Sequence, residues 1–118
     1  MAQKRLRKYC LNPIVKENEL NRVLEEQKKS KGRIALLYHS EWCPVSNNLR
    51  KELLKRYPDY CEDDVGDDAV TIYLISSWDT PHAFVIFNVK QAPTLVQING
   101  DSVTREDYVP NIYHKLGV

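Results

Sequence analysis

Cys43 is the residue of this 118-residue chain whose position best suits covalent chemistry. It follows a continuous apolar run of strand length, 34–38, and precedes a segment whose leucines recur at helical spacing. A sulfur at the start of a helix faces the unpaired N–H groups of the first turn and the positive end of the helix dipole. Both stabilise thiolate, the nucleophilic form, and cysteines in such settings have pKa values of about 3.5–7.5 instead of about 8.5. The sequence therefore predicts a nucleophile at Cys43.

Two residues after Cys43 fit this interpretation. Pro44 suits the first helical position, where its missing N–H has no intrahelical partner. Ser46 lies one helical turn from Cys43 on the same face and could donate a hydrogen bond to the sulfur. Serine cannot close a disulfide, so the site would work with one thiol. The alternative for a lone cysteine, a small buried hydrophobic residue without chemistry, stays open at this point.

The other two cysteines, Cys10 and Cys61, give little sign of chemistry. An odd and sparse set of cysteines is not a disulfide scaffold, so three free thiols are expected in a reducing compartment. A helix of about 12 residues after Cys43 spans roughly 18 Å, which places Cys61 too far away to act as a resolving thiol. Cys10 lies near the basic amino-terminal segment, and the sequence does not show whether its thiol can reach Cys43.

Metal ligation has weak support in the sequence. His39 precedes Cys43 by four residues and could be a base or a ligand, although a histidine at a strand end is more often a hydrogen-bonded part of the scaffold. The acidic segment 59–68 lacks the ligand register and terminal Glu of an EF-hand loop, which favours a solvated loop. We therefore expect no metal and no bound cofactor, with a low-molecular-weight thiol as a possible co-substrate.

The elements that must position Cys43 follow from hydrophobic periodicity and turn residues. A strand, a helix ending at Pro58 and a second strand form a βαβ unit, which implies parallel pairing. Asn99-Gly100 is a two-residue hairpin signal between two further strands. The residues after Pro81 are ambiguous, because 79–81 suits a helix start whereas 82–88 has the composition of a strand. The order predicts an α/β fold, a mixed sheet of four to five strands with helices on both faces: helices 16–29, 46–57, one beginning at 79–81, and 109–116, and strands 34–38, 70–75, 94–98 and 102–105.

Composition limits the function classes. There are 17 Lys+Arg and 16 Asp+Glu, so the chain lacks the excess positive charge of a nucleic-acid binder. No stretch has the roughly 18 apolar residues of a membrane span, and no secretion signal is present. We expect one cytoplasmic domain over residues 1–118, with 1–15 as an amino-terminal tail whose basic residues are solvated rather than bound to an anionic partner. The oligomeric state does not follow from the sequence.

These features resemble the thioredoxin superfamily from about residue 34 to the carboxyl terminus. The resemblance is carried by Glu41-Trp42-Cys43 after an apolar strand, by Ala92-Pro93-Thr94 and by Asn99-Gly100. It implies a thioredoxin-like fold in which Cys43 faces a cis-proline loop at Pro93. The Ala92 backbone could then pair with an extended substrate, and Pro44 and Thr94 are assigned to substrate binding with it. Trp42 could shield the sulfur and pack against a substrate, or it could pack within the turn.

Two departures from the thioredoxin pattern indicate a monothiol protein. Ser46 replaces the second cysteine, and Leu37 replaces the buried aspartate that helps to handle that cysteine's proton. The stretch from His39 to Ser46 is similar to the His-Ser-x-x-Cys-Pro-(Ile/Val)-Ser segment of the bacilliredoxin-like family. That similarity implies removal of small thiols from protein mixed disulfides by Cys43, with release by an external thiol. Gln91-Ala92 replaces a longer His- and Ser-containing run, which leaves the identity of the thiol open.

The sequence therefore supports two candidate functions for this protein. The first is a monothiol thiol-disulfide oxidoreductase acting through Cys43, with Ser46 stabilising the thiolate and Pro93 shaping the docking groove. The second is a redox-silent binding module that uses the Pro93 groove or a sheet edge. Cluster binding of the glutaredoxin kind is disfavoured, because Pro44-Val45 replaces the Gly-Phe pair of those proteins.

Overall fold

A computed structural model describes residues 9–14, 16–57 and 70–118. Hydrophobic runs rich in Leu, Ile and Val form the strands, and amphipathic segments form the helices between them. The elements are β1 (Tyr9–Ile14), α1 (Glu17–Ser30), β2 (Arg33–His39), α2 (Pro44–Arg56), β3 (Val70–Ser76), α3 (Ala83–Ile86), β4 (Thr94–Asn99), β5 (Ser102–Glu106) and α4 (Val109–Leu116).

The five strands form one mixed sheet in the order β1-β3-β2-β4-β5. Strands β1, β3 and β2 pair in parallel, whereas β4 is antiparallel to β2 and β5 is antiparallel to β4. The parallel strands β2 and β3 end at the edge of the sheet where the antiparallel strand β4 begins. The turn after β2, the turn after β3 and the loop before β4 therefore lie at the same edge.

Helices cover both faces of the sheet. Side chains alternate along the central strand β2, so its successive residues pack against helices on opposite faces. Leu37 packs in a cluster with Leu49 and Leu53 of α2 and with Ile112 and Leu116 of α4. Leu36 and Tyr38 point to the opposite face, in a cluster with Leu20 of α1 and Ala83 of α3. The predicted α/β architecture with helices on both faces is confirmed.

The predicted amino-terminal tail is wrong for Tyr9–Ile14, which form the edge strand β1. Tyr9, Cys10 and Leu11 are buried, and β1 pairs with β3 along its whole length. Pro13 is compatible with an edge strand, because one side of such a strand has no neighbouring strand that needs its N–H. The expectation of three free thiols is also wrong, since Cys10 is disulfide-bonded.

The helix expected to begin at 79–81 is confirmed as the short helix Ala83–Ile86, and the alternative strand over 82–88 does not form. The Thr80 N–H and Oγ1 both donate to Ser76 O, at 3.0 and 2.9 Å, so the chain turns tightly after β3. Ala83 is the buried residue of α3, whereas Val85 and Ile86 are exposed. Tertiary packing therefore decided this element against its β-branched composition.

Three sequence expectations, the helix end at Pro58, the solvated acidic loop 59–68 and the location of Cys61, lie outside the described residues. Among the helices of the described ranges, none is both long and apolar enough to cross a membrane.

Candidate functional site

Cys43 is the cap residue that immediately precedes α2. Its own N–H donates to Ser40 O at 3.1 Å, and its carbonyl accepts the Asn47 N–H at 3.0 Å. The side-chain amide of Asn47 also donates, from Nδ2, to Glu41 O at 2.9 Å. These bonds hold the turn between β2 and α2 in one conformation, and they place the sulfur beside the free amides of the first helical turn.

The cysteine faces the loop before β4. The Cys43 thiol donates to Ala92 O over 3.6 Å, although the two residues are 49 positions apart in sequence. The Ala92-Pro93 peptide bond is cis. Thr94 is buried, and its hydroxyl donates to Gln91 O at 2.8 Å. The Cys43 turn and the Ala92–Pro93 loop therefore lie next to each other at the surface, with the sulfur between them.

The first turn of α2 lowers the pKa of the Cys43 thiol below its usual value. The largest cause is hydrogen bonding from the Ser46 backbone N–H, followed by the Ser46 hydroxyl; the Val45 N–H adds to this and burial opposes it. When Cys43 is protonated, its S–H donates to Ala92 O, and the buried Ser46 hydroxyl has no hydrogen-bond partner among the described residues. Ionisation removes the S–H donor, so the sulfur becomes an acceptor for this unused hydroxyl.

Replacing Ser46 by alanine is expected to raise the pKa of Cys43 and to slow its alkylation at pH 6 by about fivefold to tenfold, since one charge-assisted hydrogen bond is lost. The rate of iodoacetamide labelling at Cys43 against pH, followed by peptide mass mapping, measures this change. The Ser46→Thr protein retains the hydroxyl and serves as the matched comparison. A Ser46→Ala profile superimposable on the original would show that the hydroxyl does not act on the sulfur.

His39 lies at the end of β2 on the same face as Leu37, the face that α2 covers. The imidazole is buried, and its Nδ1 has no hydrogen-bond partner among the described residues. The Glu41 Oε1 atom is 4.0 Å from Nδ1. Burial lowers the pKa of His39 more than the carboxylates of Glu41 and Asp79 raise it, and Arg50 lowers it further. His39 is therefore neutral at pH 7.

Acidification is expected to destabilise the protein through His39. Its pKa in the folded state is below the usual 6.5, so the unfolded chain binds more protons as the pH falls below about 6.5. The free energy of unfolding should therefore fall more between pH 7 and pH 5 than it does in a His39→Gln variant. Urea denaturation at the two pH values measures the difference, with exposed His114→Gln as the control. Equal pH dependence of the original and His39→Gln proteins would contradict this account.

Trp42 and Pro44 lie on the surface beside Cys43, and Pro44 is the first residue of α2. The structure also places Trp78, which the sequence reasoning missed, against Trp42, with ring centroids 5.9 Å apart. The sequence feature that could have identified Trp78 is its position two residues after β3, a strand parallel to β2. In the described ranges, no group of three or more His, Cys, Asp or Glu residues could hold a metal ion.

No protein-family model and no curated protein sequence matches this chain. Solved structures do match it. Thioredoxin O2 from Arabidopsis thaliana, in the oxidized state, is 17% identical with a TM-score of 0.66 over 96% of each chain. Thioredoxin O1 from the same plant is 16% identical with a TM-score of 0.67, over 92% of this chain and 96% of that one. A poplar thioredoxin h is 12% identical with a TM-score of 0.66, over 91% and 93% of the two chains. The predicted thioredoxin-like fold is confirmed.

Proposed function

We propose that this protein is a monothiol thiol-disulfide oxidoreductase, of the kind that the bacilliredoxin-like resemblance implies. One observation carries the proposal. The Cys43 sulfur lies at the start of α2, facing the Ala92–Pro93 loop, with a buried and unused Ser46 hydroxyl beside it. This is an environment that favours thiolate and leaves it accessible to a disulfide.

The reaction is a thiol-disulfide exchange in two steps. The Cys43 thiolate attacks the small-thiol sulfur of a mixed disulfide, so that a new S–S bond joins Cys43 to the small thiol. The second substrate sulfur leaves as a thiolate with the electron pair of the broken bond. An external low-molecular-weight thiolate then attacks the adduct and releases Cys43 as thiolate, leaving a disulfide of the two small thiols. Ser46 and the amides of α2 stabilise the anion at the start and the end of the cycle.

The remaining parts of the proposal come from the sequence. The substrates are protein or small mixed disulfides, the co-substrate is a small thiol, and the reaction needs no metal or bound cofactor. Trp42, Pro44, Ala92 and Thr94 are assigned to substrate contact, and Pro93 is assigned to shaping the docking groove. The cytoplasm is the proposed compartment, in which the Cys10 disulfide would be an exception to the usual reduced state of thiols. Nucleic acids and membranes are not proposed as partners.

The test uses the full chain, reduced just enough to leave Cys43 as a thiol. The protein is incubated at pH 6.5 with 2-hydroxyethyl disulfide, glutathione disulfide or cystine, and intact mass and peptide mapping follow the adduct. We expect one small-thiol adduct on Cys43, formed faster than on free cysteine at the same pH and removed by added small thiol. A Cys43 that reacts no faster than free cysteine would overturn the oxidoreductase proposal and favour the binding module.

A further inference from the structure

Two tryptophans beside Cys43 form an exposed aromatic surface. The side chain of Trp42 is 76% exposed and that of Trp78 is 69% exposed, yet their rings contact each other with planes inclined by 62°. Trp42 directly precedes Cys43, so this Trp42–Trp78 pair lies on the surface next to the sulfur that a disulfide must reach. Exposed tryptophans beside a reactive group are suited to binding a partner, because they bury a large area at low entropic cost.

A buried hydroxyl fixes the two tryptophan-bearing turns to each other. Ser76, at the end of β3, donates to the Glu41 carboxylate in the turn before Cys43. The same Ser76 oxygen accepts the N–H groups of Trp78 and Asp79, at 3.1 and 3.4 Å. The Ser77 N–H also donates to His39 O at 3.0 Å. The Trp42–Trp78 pair is therefore preorganised, which lowers the entropic cost of binding.

The charge around the pair is negative. Glu41 precedes Trp42 and Asp79 follows Trp78, and both carboxylates are close enough to act on the buried imidazole of His39. Burial is the largest single effect on the pKa of Glu41 and raises it, but the Ser76 hydrogen bond, the Glu41 backbone N–H and the charges of His39 and Arg50 together lower it below its usual value, so this group is ionised at pH 7. Neither carboxylate forms an ion pair with a lysine or arginine of the described residues, although Arg50 acts on Glu41 from a longer distance.

We propose that the Trp42–Trp78 pair, with Asp79 and Glu41, recognises a lysine or arginine next to the reactive cysteine of a substrate protein. A cation over a tryptophan face is attracted by the ring, and the attraction adds to that of neighbouring carboxylates. An aliphatic side chain would bury part of the two carboxylates without giving them a partner, which is unfavourable. The inference rests on the proposed oxidoreductase function, because it specifies the substrate sequence that Cys43 attacks.

The test compares four pentapeptides of sequence Gly-X-Cys-X-Gly, where X is Arg, Gln, Leu or Glu. Each cysteine carries the same 2-nitro-5-thiobenzoate group as a mixed disulfide. In this assay Cys43 bonds to the peptide sulfur, because 2-nitro-5-thiobenzoate is the better leaving group, whereas in the proposed reaction it bonds to the small-thiol sulfur. In both cases the residues X flank the disulfide that Cys43 attacks, and here the coloured thiolate that leaves reports the rate. The same reactions with 2-mercaptoethanol correct for the effect of peptide charge on any thiolate. After that correction we expect the Arg peptide to react about tenfold faster than the Gln peptide and the Glu peptide to be slowest, with differences that shrink at high salt.

Two variants test the residues involved. Asp79→Asn removes a carboxylate, and Trp78→Leu keeps apolar area while removing the aromatic face. Each is expected to reduce the Arg-to-Gln ratio about threefold. Asp101→Asn is the matched control, because Asp101 is an exposed carboxylate at the β4–β5 turn, at the opposite edge of the sheet. It should leave the ratio unchanged.

The outcomes separate this inference from the proposed function. If the Gln peptide reacts rapidly at Cys43 but the corrected Arg-to-Gln ratio is one, the inference fails and the oxidoreductase stands. A Leu peptide that reacts faster than the Arg peptide would also overturn it, in favour of an apolar occupant. If no peptide reacts faster with Cys43 than with 2-mercaptoethanol at the same pH and concentration, the proposed function itself fails.

Discussion

A Cys43→Ala protein is expected to form no small-thiol adduct at this position and to lose rapid alkylation below pH 7 completely. The proposed reaction has one sulfur at its centre, and Ser46 cannot replace it, because a hydroxyl at neutral pH is a weak nucleophile without an adjacent base. The folded structure should persist, since Cys43 is only partly buried and contributes no core contact. Intact mass after incubation with 2-hydroxyethyl disulfide measures the loss, and a far-ultraviolet spectrum confirms the fold.

The control for this substitution is Asn48→Ala, which changes an exposed residue of α2 that is not part of the site. It should react within about twofold of the original protein, as expected for a surface change away from the site. A Cys43→Ala protein that still forms the adduct at the original rate would move the chemistry to another sulfur. Binding of a partner peptide by Cys43→Ser with an affinity unchanged by reductant would favour the redox-silent module.

A Leu37→Asp protein is expected to lose about 3 kcal/mol or more of unfolding free energy at pH 7. Leu37 is completely buried and packs against Leu49, Leu53 and Leu95. The substitution removes apolar contacts and puts a carboxyl group at the position where the thioredoxin pattern carries an acid. The members of this cluster are hydrophobic, so the charged form would be desolvated. Urea denaturation of the original and variant proteins measures the cost.

The pH dependence of that variant separates charge from lost packing. Burial should raise the pKa of the new carboxyl in the folded state above its unfolded value of about 3.9. The extra destabilisation relative to Leu37→Asn is then small at pH 4 and grows as the pH rises to 7. Leu37→Met, which nearly conserves volume, should cost less than about 1.5 kcal/mol. A Leu37→Asp protein as stable as Leu37→Asn at pH 7 would show that the site already accommodates a charge.

The parts of the fold that the sequence predicted are those with strong local signals. The apolar strand before Cys43, the leucine stripe of α2 and the Asn99-Gly100 hairpin are set by periodicity and turn chemistry, which act over a few residues. Strand β1 was missed because a short edge strand with Pro13, next to a basic segment, lacks such a signal. Helix α3 was predicted from its start at 79–81 but stayed ambiguous, because its β-branched residues also suit a strand, and the turn at Ser76 and Thr80 decides for the helix.

The same division applies to the candidate site. Cys43 at the head of a helix, Ser46 one turn later and the Pro93 segment could be read from spacing, because capping geometry and helical periodicity are local. The contact of Cys43 with Ala92, the unused hydroxyl of Ser46 and the Trp42–Trp78 pair depend on how the sheet brings distant segments to one edge. Residue types and their local spacing were enough to identify the groups that can react or stabilise a thiolate. Only the tertiary structure decided which of them meet, because those contacts span tens of residues and follow from strand order and packing.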